Sequence, residues 1–250
     1  MGTRLAITLF LGLLLGSGVA MAREGAVDMV GCPSDGQMGP QPAPSMSVTR
    51  GVTTDEKLTA QLSFYYTETF RNGVLAPKGW HCLQLIGSNG ETLLVTPQAI
   101  DAKTIFDSGW HGIVGDGVQI STSLGGTSGR FEVAHIASRI FPQAQKFVAR
   151  VASEGFEPAS EFAKGAWPRD RVTRLRPDIV EYWTAPHSQG LGTASRLAPN
   201  NQPIRGVSIL VGTDEPDLFH LAVRLPPEQE SLAPLIVRQT ERDYAPGVYP

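Results

Sequence analysis

Residues 73–97 constrain this chain more than any other stretch, because they combine a proline turn, a hairpin and one of its only two cysteines. Pro77-Lys78-Gly79 is a turn, since proline presets φ at the first corner and glycine accepts positive φ after it. Residues 82–86 and 91–95 read as strands around Asn89-Gly90, a pair that supplies the positive φ values of a type I′ turn. A two-residue loop there sets Ile86 opposite Leu93, Leu85 opposite Leu94 and Gln84 opposite Val95. Cys82, Gln84, Ile86, Leu93 and Val95 then share one face, and Leu83, Leu85 and Leu94 the other. Apolar residues on both faces place the pair well inside a sheet.

Cys82 has a single candidate partner, Cys32. In an oxidising compartment an even count of two reads as one disulfide. It would close a loop of about 50 residues, worth roughly 4 kcal/mol in the chain-entropy model. The bridge would tie down residues 33–45, whose prolines and glycines exclude a helix or a central strand. The compartment follows from residues 1–22, which read as a secretory signal peptide. Arg4 opens it, residues 5–19 are almost wholly apolar, and Ala20-Met21-Ala22 is a small-x-small cleavage pattern. The apolar run is too short for a membrane span. Arg23, Glu24 and Asp28 stand between it and Cys32, which argues against lipid attachment there. Cleavage after Ala22 predicts a periplasmic or extracellular chain that begins at Arg23 and has no membrane anchor. The formal net charge is −3, and loss of Arg4 makes it more negative. That balance argues against a general binder of nucleic acid.

With 41% hydrophobic and 18% charged residues the chain is globular rather than disordered. Residues 23–57 read as an irregular Pro/Gly-rich segment tied by the disulfide, and 58–250 as one domain. Alternation through Leu58, Ala60, Leu62, Phe64 and Tyr66 predicts a strand, with a short helix near Thr54 and Glu56 as the alternative. A strand over 118–124 follows. Val133, Ile136, Ala137, Ile140, Ala144, Phe147, Val148 and Val151 then form one helical stripe. Pro142 splits it into two helices or kinks one, and Gly155 caps its end. Residues 178–184, 207–211 and 218–225 read as strands, the last two joined as a hairpin. The tail from Ser231 reads as a helix, with Pro234 in its first turn. The expected class is α+β, an antiparallel-rich sheet with a central helical segment.

Val74-Leu-Ala-Pro-Lys-Gly-Trp-His-Cys82, the pair Tyr65-Tyr66, Thr184-Ala-Pro and Gly190-Leu-Gly-Thr193 form a pattern. In these motifs, over residues 60–240, the chain resembles a group of uncharacterised secreted bacterial proteins. The resemblance implies a bacterial exported protein and assigns no catalytic residue.

Gly-Trp-His occurs twice, ending at Trp80-His81 and Trp110-His111, although the chain has only four tryptophans and five histidines. One reading is a shared pocket in which the indoles stack on a ligand and the imidazoles bond it. The other makes Trp80 a core anchor beside the disulfide. A second candidate is the turn at 125–130, which leads from a strand into a helix. There Gly126, Ser128, Gly129 and Arg130 could hold an anion, unless Thr127 or Ser128 simply caps the helix. The turn lacks P-loop spacing. Lys164, Arg169, Arg171, Arg174 and Arg176, against Asp170 alone, read as a solvated basic loop. His81, His111, His135, His187 and His220 show no metal-ligand spacing, so neither metal nor cofactor is expected. No nucleophile elbow or other hydrolase motif is present. The preferred reading is therefore an exported protein that binds a small ligand, an envelope component or another protein. A secreted hydrolase with an unrecognised active site is the alternative.

Overall fold

The N-terminal segment is where the fold first departs from the sequence reading. The computed structural model describes residues 24–45, 49–53, 56–67, 73–245 and 247. The signal peptide expected at 1–22 and the terminus at Arg23 lie outside the described residues. The segment expected to be irregular supplies three strands, β1 (Glu24–Gly31), β2 (Ser34–Gly36) and β3 (Thr49–Thr53). Val27 is buried between exposed Ala26 and Asp28, an alternation too short to stand out in sequence. The prolines around β2 are tolerated because it is an edge strand.

Next come α1 (Glu56–Thr59) and β4 (Leu62–Tyr66). Leu58 thus belongs to a helical turn, and the strand expected from 58 starts at 62. The chain continues through β5 (Gly73–Pro77), β6 (His81–Gly87), β7 (Gly90–Thr96), α2 (Ala102–Ile105) and β8 (Gly117–Ser123). The helical stripe forms α3 (Arg130–Ile140) and α4 (Gln145–Ser153), with a single 3-10 turn at Pro142–Ala144 between them. Phe141, which precedes the proline, leaves the helical region at φ −118° and ψ 83°. The basic run is in part a strand and not a loop: Arg171, Arg174 and Arg176 lie in β9 (Asp170–Arg176), while Lys164 and Arg169 precede it. Strands β10 (Ile179–Thr184), β11 (Ile204–Val211) and β12 (Asp217–Arg224) follow, and α5 (Ala233–Tyr244) closes the described chain.

The strands make two sheets in an α+β fold. The larger has eight strands in the order β2-β6-β7-β8-β12-β11-β10-β9, antiparallel except for β2 on β6. The smaller, β3-β1-β4-β5, is antiparallel except for β1 on β4. One face of the large sheet packs Leu93, Val95, Ile120, Phe219 and Leu221 against the small sheet and α5. Its other face packs Leu83, Leu85, Leu94, Tyr182 and Ala222 against α3 and α4. The result is three layers with the large sheet in the middle. No helix among the described residues is long and apolar enough to cross a membrane.

Cys32 and Cys82 form a disulfide with their Cα atoms 5.4 Å apart. The hairpin register differs from expectation by two residues. Ser88 and Asn89 form the loop, Ile86 faces Glu91 and Gln84 faces Leu93. Gly90, rather than Asn89, takes the positive φ, at 139°. A Cβ there would stand 1.9 Å from the Thr122 carbonyl oxygen of β8. A slip of two residues preserves the side-chain period, so every residue keeps its expected face.

Candidate functional site

On the α3 face of the large sheet the apolar layer is interrupted by side chains of β7 and β8. Alternation along β8 sends Val118 and Ile120 into the core and turns Gln119 and Ser121 to the opposite face. Thr92 of β7 lies opposite Ser121. Glu132 in the first turn of α3 and the segment 193–196 wall off a cleft of about 460 Å³ above these residues. Ser195 and Arg196 line it from the loop side. Across Thr193, Ser195 and Arg196 lies a second depression of about 530 Å³, which contains Trp110 and His111. The Arg196 Cζ lies 5.8 Å from the Trp110 ring centroid, within cation–π range.

Arg196 is the unusual member. Burial depresses its pKa, while Glu132 opposes the shift. Its backbone N–H donates to Gln119 Oε1 at 2.8 Å, but no carboxylate pairs with its guanidinium among the described residues. Gln119 is only 3% exposed. With its oxygen occupied by Arg196 N–H, its amide N–H groups are left for the cleft.

A buried polar frame holds the 193–196 segment in place. Asp170 accepts from Thr184 Oγ1 at 2.7 Å and from Leu191 N–H at 2.8 Å. Thr184 Oγ1 in turn accepts from Gly192 N–H at 2.9 Å. A Cβ on Gly190 would stand 2.1 Å from Asp170 Oδ1, so the Gly-Leu-Gly-Thr motif needs glycine for close approach. Beneath this turn, His220 Nε2 faces the Leu191 carbonyl at 3.0 Å and must donate to it. Nδ1 therefore accepts from Ser208 Oγ at 2.9 Å. Burial brings His220 down to about 4, which keeps the ring neutral. Ser208 and His220 resemble a nucleophile and base, yet they are 0% and 2% exposed and line none of the depressions described here.

The two Gly-Trp-His sequences do not converge. Trp80 and His81 line a separate depression of about 510 Å³ beside the disulfide. Trp80 packs on the core cluster that includes the small sheet, whereas Trp110 packs on the α3 cluster. The shared pocket is corrected accordingly: the large sheet divides the two cores, and only Trp110 adjoins the cleft. The backbone at Trp80 is fixed locally, its main-chain N–H donating at 3.0 Å to Tyr65 Oη, which itself donates to the Pro77 carbonyl at 2.7 Å.

The turn at 125–130 offers no open anion site. Arg130 forks onto Glu154, with Nε 2.9 Å and Nη2 2.6 Å from Oε2, and Nη1 donates to the Thr127 carbonyl. Gly125 N–H donates to Asp217 Oδ1, and a Cβ on Gly126 would approach Glu215 Oε2 at 3.0 Å. Ser128 is exposed and Gly129 is the N-cap, with no side chain capping the helix. Carboxylates around the turn take the place of the expected anion. No group of three or more His, Cys, Asp or Glu among the described residues is placed to hold a metal.

Arg196 gave no sequence signal, being one arginine in a long Gly/Ser/Asn loop. Gln119 and Ser121 gave one in their polar alternation with Val118 and Ile120. No protein-family model matches this sequence, and comparison with curated proteins and with solved structures returns no match.

Proposed function

We propose that this is an exported binding protein that holds a small hydroxylated acid, such as a uronic acid unit, in the cleft between β7–β8 and the 193–196 segment. The observation that carries this reading is the partly buried Arg196 guanidinium, which lines the cleft with no carboxylate in ion-pair contact among the described residues, Glu132 acting on it from beyond that range. A desolvated guanidinium is costly unless its donors find acceptors, and a ligand carboxylate matches its fork geometry. Gln119, Ser121, Thr92 and Glu132 supply donors and acceptors for hydroxyl groups, and Trp110 offers an indole beside the guanidinium. Binding rather than turnover is favoured because the Ser208–His220 pair is closed off beneath the 190–193 turn. The disulfide and the leader-like residues 1–22 support export.

The test is thermal unfolding with galacturonate, with glucose as the neutral control. At a hundredfold excess over Kd, galacturonate stabilises the wild-type chain by about 2.7 kcal/mol, and Arg196→Gln removes most of that gain. No shift with galacturonate overturns the reading.

A further inference from the structure

The cleft makes no use of the basic strand β9, which ends the large sheet. It pairs with β10 on one side, and among the described residues its one other backbone bond runs from Asp170 N–H, at its start, to the Trp167 carbonyl at 3.0 Å. Past Asp170, every second residue therefore turns its N–H and C=O outward, up to the register shift at Leu175 that precedes Pro177. An open edge of this kind is a template for another strand.

The side chains flanking this edge are positive on both faces of the sheet. Arg171, opposite Trp183, stacks on its indole with Cζ 4.6 Å from the ring centroid. Arg174, opposite Val180, donates to the Ile140 carbonyl at 2.7 Å and the Pro177 carbonyl at 3.4 Å. Neither meets a carboxylate among the described residues, while Arg176 pairs with Asp178. The one acid in the strand, Asp170, is turned inward to Thr184 and Leu191. Val172 and Leu175 stand between the arginines, 42% and 47% exposed.

Arginines on an edge can serve simply as guards against aggregation. They do serve that way toward a second copy of this chain, because β9 on β9 would set like charges side by side. A guard, however, needs only loose charge. Here Arg171 and Arg174 are held in place, with apolar surface left open between them.

We propose that β9 captures an extended acidic segment of a protein partner by strand addition. Backbone bonds to the open edge supply affinity, and carboxylates set against Arg171 and Arg174 supply selectivity.

The experiment measures fluorescence anisotropy of the mature full chain with a labelled seven-residue peptide, matched to β9 in length, of valine with glutamates three positions apart, so that carboxylates fall on both faces of the added strand. Two controls carry N-methyl groups on alternate amides, one in each frame, so that charge is kept while one edge at a time loses its donors. The expected result is binding of the parent peptide at low ionic strength and about tenfold weaker binding of one N-methyl frame. The double variant Arg171→Glu/Arg174→Glu loses the acidic peptide by a similar factor and gains a lysine–valine peptide of the same length. Equal binding by both N-methyl frames would mean a plain polyanion patch and would overturn strand addition. Failure of the parent peptide to bind, or an unchanged double variant, would overturn the proposal as well.

Discussion

Arg224 is 1% exposed and donates to the carbonyls of Ile113, Gly115 and Ala198. Desolvation lowers its pKa to about 10, against the pull of Asp116, so it stays charged at neutral pH. Its donors are occupied inside the protein, and it acts as a clamp between the 113–115 and 196–198 segments. Arg196 belongs to one of the clamped segments but spends none of its side-chain donors on carbonyls among the described residues. That contrast separates a structural arginine from one available to a ligand. The two tryptophans divide in the same way. Trp80 is half-buried on the core beside the disulfide, so Trp80→Ala is expected to cost about 2 kcal/mol of stability, below the range for a fully buried ring. Trp110→Ala is expected to cost about 1 kcal/mol or less and to weaken galacturonate binding. Chemical denaturation of both variants beside a binding titration checks this. Equal stability losses with unchanged binding would return both residues to plain packing.

Among the elements, the β6–β7 hairpin governs how the layers join. The bridge links Cys32, just past the end of β1, to β6, so it staples the small sheet to the large one. Cys32 N–H also donates to the Tyr66 carbonyl at 2.8 Å. The N-terminal segment is thus held by backbone bonds even without the bridge. Cys32→Ser is expected to lower stability by roughly 2–4 kcal/mol while leaving the far-ultraviolet circular dichroism unchanged; lost strand signal would mean that β1 depends on the bridge for pairing. The elements that sequence made legible carry a strong local code: alternation in β8, the stripe of α3 and α4 broken at Pro142, and the apolar faces of the hairpin. Those it hid depend on partners far along the chain. Strand β1 is stabilised by lying between β3 and β4, and β9 exists because β10 offers it an edge. The hairpin register was missed because Gly90 is needed for its close approach to Thr122, a contact set by β8 and not by the turn. The cleft was hidden for the same reason: Arg196 meets Gln119 across 77 residues of sequence.

Over the whole molecule, a sheet covered on both faces leaves ionisable groups partly buried on either side, and they pull stability in opposite directions with pH. Burial raises Glu91, on the small-sheet face, to about 8, against the hydrogen bond from Gln84. Glu241 of α5 is raised too, first by burial and then by Glu181 alongside it. In both cases the folded chain keeps a proton that the unfolded chain has already released near its ordinary value of 4.5. Their contribution is therefore fully present below that value and is lost as pH rises toward 8. His220 has the opposite sign, since its folded value of about 4 lies below 6.5. The unfolded chain takes up that proton first, so this contribution is lost as pH falls from 6.5 toward 4. Between pH 6.5 and 8 the histidine is neutral in the folded state and goes from half to almost wholly neutral in the unfolded one, a small change that leaves the carboxyl groups in control. The melting temperature is expected to fall across that window by roughly 2–4 °C for each kcal/mol lost. Glu91→Gln mimics the protonated carboxyl and still accepts from Gln84, so it should match wild type near pH 4, melt higher at pH 8 and flatten the slope. Scanning calorimetry of both chains across this window decides the matter. A wild-type melting temperature that stays level or climbs from pH 6.5 to 8 would show that neither carboxyl keeps its proton in the folded protein, and an unchanged slope in Glu91→Gln would clear Glu91 alone.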